Sequence, residues 1–330
     1  MAVTPQTNTT LEAIAETLLG GGHICICGHV SPDGDCLGSQ LALAAALRLA
    51  GKHATCLLAR EEPIDPAFSF LPGASELVYA RAYEGPCDTF VAVDVPTPAR
   101  LGDGAAVQER AALTITIDHH GADRAMSQLS YTDPDAASTT TLIWRTVQAM
   151  GIAADAAIAT CAYTGLMTDT GSFQHQNADA EAFALGAEMV AAGADPSTIA
   201  QQVCQNRSVA SLELQRLAIA HMRFLAEGAL VLSWIGRREM EEVGAVKADA
   251  EPLIDILRSV RGVRIACILR EQEGEVRGSF RSKDGTDVAA IARRFDGGGH
   301  RAAAGFTLHC PLGEAIDVVS AAALAALGED

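Results

Sequence analysis

Three apolar runs in the first 120 residues each lead into an acidic or imidazole side chain, and that arrangement narrows the folds open to the chain. The runs are HICICGHVSPDGD from His23, TFVAVDV from Thr89 and TITIDHH from Thr114. Each is short, rich in small aliphatic or β-branched residues and bounded by Gly, Pro or Asp, so each reads as a buried strand. Segments with helical periodicity alternate with them, at about 10–20, 39–50, 139–150, 155–167 and 179–192. Strand and helix in alternation predict an α/β fold with a doubly wound, mainly parallel sheet. In such a sheet, ligands bind beyond the carboxyl ends of the strands. The polar residues that close the three runs would gather there.

The composition agrees with this layout. Hydrophobic residues make up 49% of the chain and aromatics only 5%. Ala, Val, Leu and Ile therefore fill the interior, which suits helices packed on a parallel sheet. The 330 residues suffice for two domains. The expected division is a catalytic domain over 1–192, a helical linker over 193–222 that opens at the Gly193–Pro196 break, and a smaller α+β domain over 223–330. The last has strands in ALVLSWI, VRIACILRE, VRGSFRS and AGFTLHC. Residues 61–87, rich in Pro, Gly and acidic residues, read as loops with short elements.

The net charge of −17 argues against a protein that tracks along duplex DNA, where Lys and Arg contacts to phosphate dominate. The charge is uneven. Residues 223–330 hold 14 Lys+Arg and 17 Asp+Glu, against 10 and 24 in residues 1–222. The last third is where groups that hold an anionic substrate are expected, although most of its Arg residues read as solvated surface. The nine Cys have no regular spacing, and Cys25 and Cys27 alternate along one strand. They read as reduced, mostly buried thiols of a cytoplasmic protein. MAVTPQTNTT lacks a basic region followed by an apolar stretch, and Arg48 interrupts LALAAALRLA, so neither a signal peptide nor a membrane span is expected.

The chemistry-bearing residues fall in four segments: His29, Asp33 and Asp35 in GHVSPDGDCLGS, Asp94 in TFVAVDV, Asp118-His119-His120 in TITIDHH, and Asp169 in YTGLMTDTGSFQH. A helix beginning near Gly38-Ser39 would turn its N-terminal amides towards the first group and favour an anion there. Carboxylate and imidazole donors suit Mn²⁺ or Mg²⁺, and the absence of clustered thiolates argues against structural zinc. Taken singly, an Asp after a strand is commonly a helix cap or turn former. The Asp-His-His triplet ending an apolar strand is harder to explain so, because burying three such groups is costly unless they are paired or metal-bound.

A second informative stretch is GSFRSKDGTDVAAIARRFDGGGHRAAAGF. Arg277, Ser279 and Arg281 share one face of a strand. Gly297, Gly298, Gly299 and His300 permit a tight turn whose amides can cradle a phosphate or base. The plainer reading is a flexible loop with a surface histidine.

These segments, in this order, resemble the motifs of the DHH phosphoesterase superfamily, named for the triplet seen here at 118–120, with the GGGH stretch resembling its DHHA1 substrate domain. The resemblance runs over nearly the whole chain and is similar in domain pairing to the oligoribonuclease/3′-phosphoadenosine-5′-phosphate phosphatase (NrnA-type) group. It implies two divalent ions, Mn²⁺ before Mg²⁺. By it, His29, Asp33 and Asp94 hold one ion; Asp35, Asp94, His119 and Asp169 hold the other, with Asp94 shared. It makes His120 a substrate-phosphate contact and Asp118 an orienter of the histidines. Arg281, Ser282 and the Gly297–His300 loop would bind the nucleotide. The implied activity is hydrolysis of short RNA or dinucleotides and of the 3′-phosphate of adenosine bisphosphate; the alternatives are cyclic dinucleotides, pyrophosphate or polyphosphate, or nucleotide binding without turnover. A homodimer is compatible with the resemblance, and a membrane partner is not expected. Related proteins commonly carry an acidic residue where Thr141 stands; here Thr141 reads as the start of a helix.

Overall fold

Strand β1 (His23–Cys27) lies at the centre of a six-stranded parallel sheet in the computed structural model, which describes residues 6–121 and 124–328. The others are β2 (His53–Leu58), β3 (Val78–Tyr79), β4 (Thr89–Val93), β5 (Leu113–Asp118) and β6 (Leu129–Thr132). Their order is β3-β2-β1-β4-β5-β6, and every pairing is parallel. The order reverses between β1 and β4, where the connections diverge to opposite sides and leave a crevice at the carboxyl ends. The doubly wound sheet expected from the alternation is therefore present.

One face of this sheet carries Ile24, Ile26, Val91, Val93, Ile115 and Ile117 into the main core. It is covered by α1 (Leu11–Gly20), α2 (Gly34–Leu49), α4 (Thr139–Ala149) and α5 (Ala156–Asp169), with α6 (Ala180–Ala191) and α7 (Pro196–Cys204) outside them. The other face, with Cys25, Cys27, Phe90 and Ala92, packs on Leu101 and on Val107 of α3 (Gly104–Arg110). Helix α2 is apolar nearly all round and buried over most of its length, as befits a helix between a sheet and a second helix layer. Two glycines allow its close approach to α5. A Cβ on Gly38 would lie 2.5 Å from the Cys161 carbonyl oxygen, and one on Gly165 2.9 Å from Asp35 Oδ1.

The chain divides into two units between Asn206 and Arg207. The stretch expected as one helix over 197–222 is two, α7 and α8 (Val209–Ala220). Asp195 caps the first and Ser208 the second, each accepting amide hydrogens of its own first turn. Ile199 of α7 belongs to the first unit's core, whereas Leu214 and Ala218 of α8 belong to the second's. The span read as a linker is thus shared out between the two units by its own apolar residues.

The second unit is built on a mixed sheet of β7 (Arg223–Leu225), β8 (Leu230–Ile235), β9 (Ile265–Gln272), β10 (Glu275–Ser282), β11 (Gly298–His300) and β12 (Ala303–Leu308), in the order β11-β12-β10-β9-β8-β7. The β8–β9 pair is parallel and the others antiparallel. Helices α11 (Val288–Arg293) and α12 (Leu312–Gly328) cover one face; α8, α9 (Arg237–Glu242) and α10 (Leu253–Ser259) cover the other. No helix among the described residues is long and apolar enough to cross a membrane.

Candidate active site

Asp94 leaves the end of β4 with φ of 58°, in the left-handed region that few residues other than glycine adopt and that Asp tolerates better than most. Its amide donates to the Ile117 carbonyl at 3.2 Å, so the backbone stays tied to β5 while the carboxylate turns inward, 2% exposed. Three buried or nearly buried groupings of donor atoms in the first unit, each within 4.8 Å, all contain it: His29–Cys36–Asp94, Asp35–Asp94–His119 and Asp94–Asp118–His120.

His29 follows β1 and reaches Asp94 Oδ2 with its Nε2 at 3.3 Å and Asp33 Oδ2 at 3.7 Å. Two donors bonded to one tetrahedral ion at about 2.0–2.2 Å lie roughly 3.4 Å apart, close to the first of these separations. Asp33 is the N-cap of α2: its Oδ1 accepts the amide hydrogens of Asp35 and Cys36 at 3.1 and 3.0 Å, while its side chain is 60% exposed. That cap starts the helix at Gly34 rather than near Ser39 as expected, because an Asp at the N-cap satisfies two amides that a later start would leave open. Asp35 therefore stands in the first turn of α2 and not in a preceding loop.

Asp35 is 1% exposed, and its carboxylate caps a different helix. Oδ2 accepts the Thr139 amide at 2.7 Å and Oδ1 the Thr140 amide at 2.8 Å, both at the start of α4. Thr139 also donates its hydroxyl to Asp94 Oδ1 at 3.1 Å. One residue thus orients two carboxylates. Thr141 is the third residue of α4, in the same first turn, with its hydroxyl donating to the Ser138 carbonyl at 2.6 Å, which is a helix-start role.

His119 Nε2 faces Asp94 Oδ1 at 3.7 Å and Asp35 Oδ2 at 3.8 Å. Its Nδ1 faces the Ala136 carbonyl at 3.3 Å, an acceptor only. The ring proton therefore belongs on Nδ1, and Nε2 turns a lone pair to the carboxylates, the tautomer a metal-ligating histidine requires. Asp169, the last residue of α5, approaches that same Nδ1 edge at 3.8 Å. Asn177 steadies it, donating to Asp169 Oδ2 at 3.3 Å and to the Ala137 carbonyl at 2.8 Å. His120 is held by Asp118, whose Oδ1 accepts its amide hydrogen at 3.0 Å and lies 2.9 Å from its Nδ1; Asp94 Oδ1 is 3.3 Å away. Asp118 thus orients His120, and His119 takes its orientation from Ala136.

The electrostatics show what the donors lack. Burial pushes the Asp35 carboxyl well above its ordinary range, and the charge of Asp94 adds to the effect. Burial opposes charge on Asp94 too, yet His120 and His29 hold it well below the usual carboxylate range. Burial likewise works against a charged His29, but Asp33 and Asp94 raise it to about 9. His120 is raised well above an ordinary histidine by Asp118 and Asp94, against burial. Without an ion, protons on the imidazoles supply the positive charge that the carboxylates need. Oxygen and imidazole donors of this number, with His119 in the ligating tautomer, fit divalent ions better than they fit one another.

Four contributors were not evident from sequence. Thr139 and Thr140 read only as part of the helix over 139–150, Cys36 only as one of the mostly buried thiols, and Asn177 carried no signal.

In the second unit, Arg277, Ser279 and Arg281 share one face of β10, as the alternation implied. Arg281 Nη1 donates to the Phe280 carbonyl at 3.0 Å, and Asp255, Glu251, Arg258 and Arg270 lie near enough to influence its charge. Ser282 is 2% exposed on the opposite face, its hydroxyl donating to Asp284 Oδ1 at 3.1 Å. The stretch Gly298–His300, expected as a loop, is an edge strand paired with β12. Two of the glycines are required by the backbone: a Cβ on Gly297 would lie 2.3 Å from the Gly305 carbonyl oxygen, and Gly299 has φ of 141°.

Residues 23–166 match the DHH family, N-terminal domain, and residues 230–329 match the DHHA1 domain. The bifunctional oligoribonuclease and PAP phosphatase NrnA of Thermus thermophilus is 33% identical over 300 residues, covering 90% of this chain and 88% of its own length. The Bacillus subtilis protein of the same name is 26% identical over 284 residues, with coverages of 85% and 88%. The crystal structure of an exopolyphosphatase-related protein from Bacteroides fragilis superposes with a TM-score of 0.87 at 25% identity, covering 94% of this chain and 95% of that one.

Proposed function

Because the chain belongs to the DHH family of metal-dependent phosphoesterases, we propose that it hydrolyses short oligoribonucleotides and dinucleotides and removes the 3′-phosphate of adenosine 3′,5′-bisphosphate, with two Mn²⁺ ions. The observation that carries the two-ion reading is Asp94, whose carboxylate is common to every buried grouping of donors in the first unit. His29, Asp33 and Asp94 would hold one ion, and Asp35, Asp94, His119 and Asp169 the other. When bound, such a pair lowers the pKa of water and neutralises phosphoryl charge.

The chain's own residues supply the rest. Asp118 keeps the His120 ring in place and charged, so that its positive charge meets the phosphoryl oxygens as their charge grows. Thr139 fixes Asp35 and Asp94 with a backbone amide and a hydroxyl, so neither carboxylate reorients during turnover. Arg281, on the strand that precedes the glycine stretch, would bind substrate phosphate, and Gly297–His300 the phosphate or base. The names of the two curated relatives support this substrate class.

The Bacteroides fragilis structure, described as exopolyphosphatase-related, favours polyphosphate as a second reading. A panel of pApA, short RNA, adenosine bisphosphate, cyclic di-AMP, pyrophosphate and polyphosphate, ranked by kcat/KM with Mn²⁺ and with Mg²⁺, separates them. Highest kcat/KM on pApA or short RNA is expected. A preference for polyphosphate over every nucleotide would overturn the proposal.

A further inference from the structure

Cys36 is fully buried, and its sulfur falls in one donor grouping with His29 and Asp94. Its position is built rather than incidental. It is the third residue of α2, turned onto the backbone of Gly28 just beyond β1, where a Cβ would lie 2.0 Å from the sulfur and 3.4 Å from the Val93 carbonyl oxygen. A side chain at 28 would collide with the sulfur, so glycine there is what admits the thiol. Gln40 lies on its other side, 3.5 Å away. In the orientation that satisfies both ends of its amide, Gln40 donates to the Leu57 carbonyl at 3.0 Å and accepts the Gly28 amide hydrogen at 3.2 Å, which turns its oxygen to the thiol. The Gln40 oxygen is then an acceptor for the S–H hydrogen, and donor atoms of His29 and Asp94 lie within 4.8 Å of the sulfur.

We infer that Cys36 Sγ is a fourth donor at the ion position formed by His29, Asp33 and Asp94. One imidazole nitrogen, one carboxylate oxygen and one sulfur lie within 4.8 Å of one another, with Asp33 Oδ2 3.7 Å from the same imidazole; sulfur and nitrogen together are donors of the type that Zn²⁺ and Co²⁺ favour, and a thiolate is a poor partner for Mn²⁺ or Mg²⁺. The two ion positions then differ in kind. The one around Asp35 and His119 has oxygen and nitrogen donors alone; the one around His29 holds Mn²⁺ through His29, Asp33 and Asp94 with the thiol left protonated, and adds the sulfur only for a thiophilic ion such as Zn²⁺ or Co²⁺. When such an ion binds, the S–H bond breaks, its proton passes to solvent and a metal–sulfur bond forms, with no change of oxidation state. This inference rests on the metal centre proposed above.

The test is Co²⁺ titrated into the metal-free full-length protein, followed by absorption spectroscopy and calorimetry, for wild type, Cys36→Ser and Cys36→Ala. Wild type is expected to show a sulfur-to-cobalt charge-transfer band that both variants lack. The variants should bind Co²⁺ and Zn²⁺ at one of the two positions at least tenfold more weakly, while their Mn²⁺ affinities move less than threefold. Far-ultraviolet circular dichroism and thermal melting establish that the variants are folded, and Cys36→Ser guards against the cavity that Ala leaves. Cobalt binding by wild type without the charge-transfer band, or a band that persists in either variant, overturns the thiol's role and leaves the metal centre standing. No cobalt binding at all, with no Mn²⁺ binding either, overturns both.

Discussion

Asp94 combines an unusual backbone with a donor shared by every grouping within the first unit, and three substitutions separate the two roles. Asp94→Asn keeps a side chain that tolerates positive φ and removes only the charge. Asp94→Gly removes the side chain and suits the backbone, and Asp94→Ala removes it while keeping a Cβ at φ of 58°. The left-handed conformation costs a residue with a Cβ about 1–2 kcal/mol, and glycine gives back about 0.4–1 kcal/mol in unfolded-chain entropy. The metal-free Ala variant should therefore be less stable than the Gly variant by roughly 0.5–1 kcal/mol.

Metal separates the charge from the backbone. An ion at 100 times its Kd stabilises a folded protein by about 2.7 kcal/mol, and each kcal/mol moves the midpoint of a unit of this size by about 2–4 °C. Wild type should thus melt about 5–11 °C higher with saturating Mn²⁺ than after chelation. In Asp94→Asn, a 100-fold loss of affinity leaves about 0.4 kcal/mol at the same Mn²⁺ concentration, a shift of only about 1–2 °C. Differential scanning calorimetry with and without Mn²⁺ reads these shifts, and isothermal titration gives the affinities. An Asp94→Asn protein that keeps the full metal-induced shift, with a Kd within threefold of wild type, would refute the assignment of Asp94 as the shared ligand.

Thr139→Val removes the hydroxyl bonded to Asp94 but leaves the amide that caps Asp35, so Mn²⁺ affinity or kcat should fall by about 10-fold, with Thr139→Ser close to wild type; titration calorimetry and steady-state rates decide it. Gly165→Ala forces a Cβ to within 2.3 Å of Thr140 Cγ2 and 2.9 Å of Asp35 Oδ1, and a lower urea midpoint at unchanged slope, worth about 1–3 kcal/mol, is expected. His29 is raised to about 9 in the folded protein without metal, from about 6.5 when unfolded. Its contribution is fully present below pH 6.5 and lost as pH rises through about 9, so metal-free wild type should lose stability across that window, and His29→Asn should lose less. His120 and Asp35, also raised on folding, act in the same direction, so urea midpoints at fixed pH steps should fall and not rise.

Strands β1, β4 and β5 were legible because each announced itself twice, through an apolar run and through the residue closing it, whereas the short edge strands β3 and β6 carry neither signal. Ile24 and Ile26 point one way and Cys25 and Cys27 the other, and both faces are buried. That explains runs without clean polar alternation. The helix start at Gly34 was not legible, since Pro32, Asp33 and Gly34 are also a turn signature, and only the capping bonds from Asp33 decide between them. The break between α7 and α8 was missed because residues 205–208 hold no Pro or Gly. The glycines at 297–299 were read as freedom, whereas Gly297 and Gly299 allow close packing against β12, the strand that begins just after them, a pairing that the turn residues themselves do not announce.

The site divides along the same line. Residue types at strand ends were visible, so the donors could be picked out one segment at a time. What sequence could not display is how the acids are held before any ion arrives. Asp33 caps the helix it begins, and Asp35 caps α4, more than a hundred residues away along the chain. Each carboxylate thus spends part of its hydrogen-bonding capacity on helix amides, whose partial positive charge makes the buried anions tolerable. Folding fixes their orientation, and an ion then meets oxygens that need little further ordering. The like-charge repulsion that remains between Asp35 and Asp94 is what a cation relieves. A site arranged in this way is strained without metal and relaxed with it, and the helix amides at Thr139 and Thr140 are as much a part of it as the ligands.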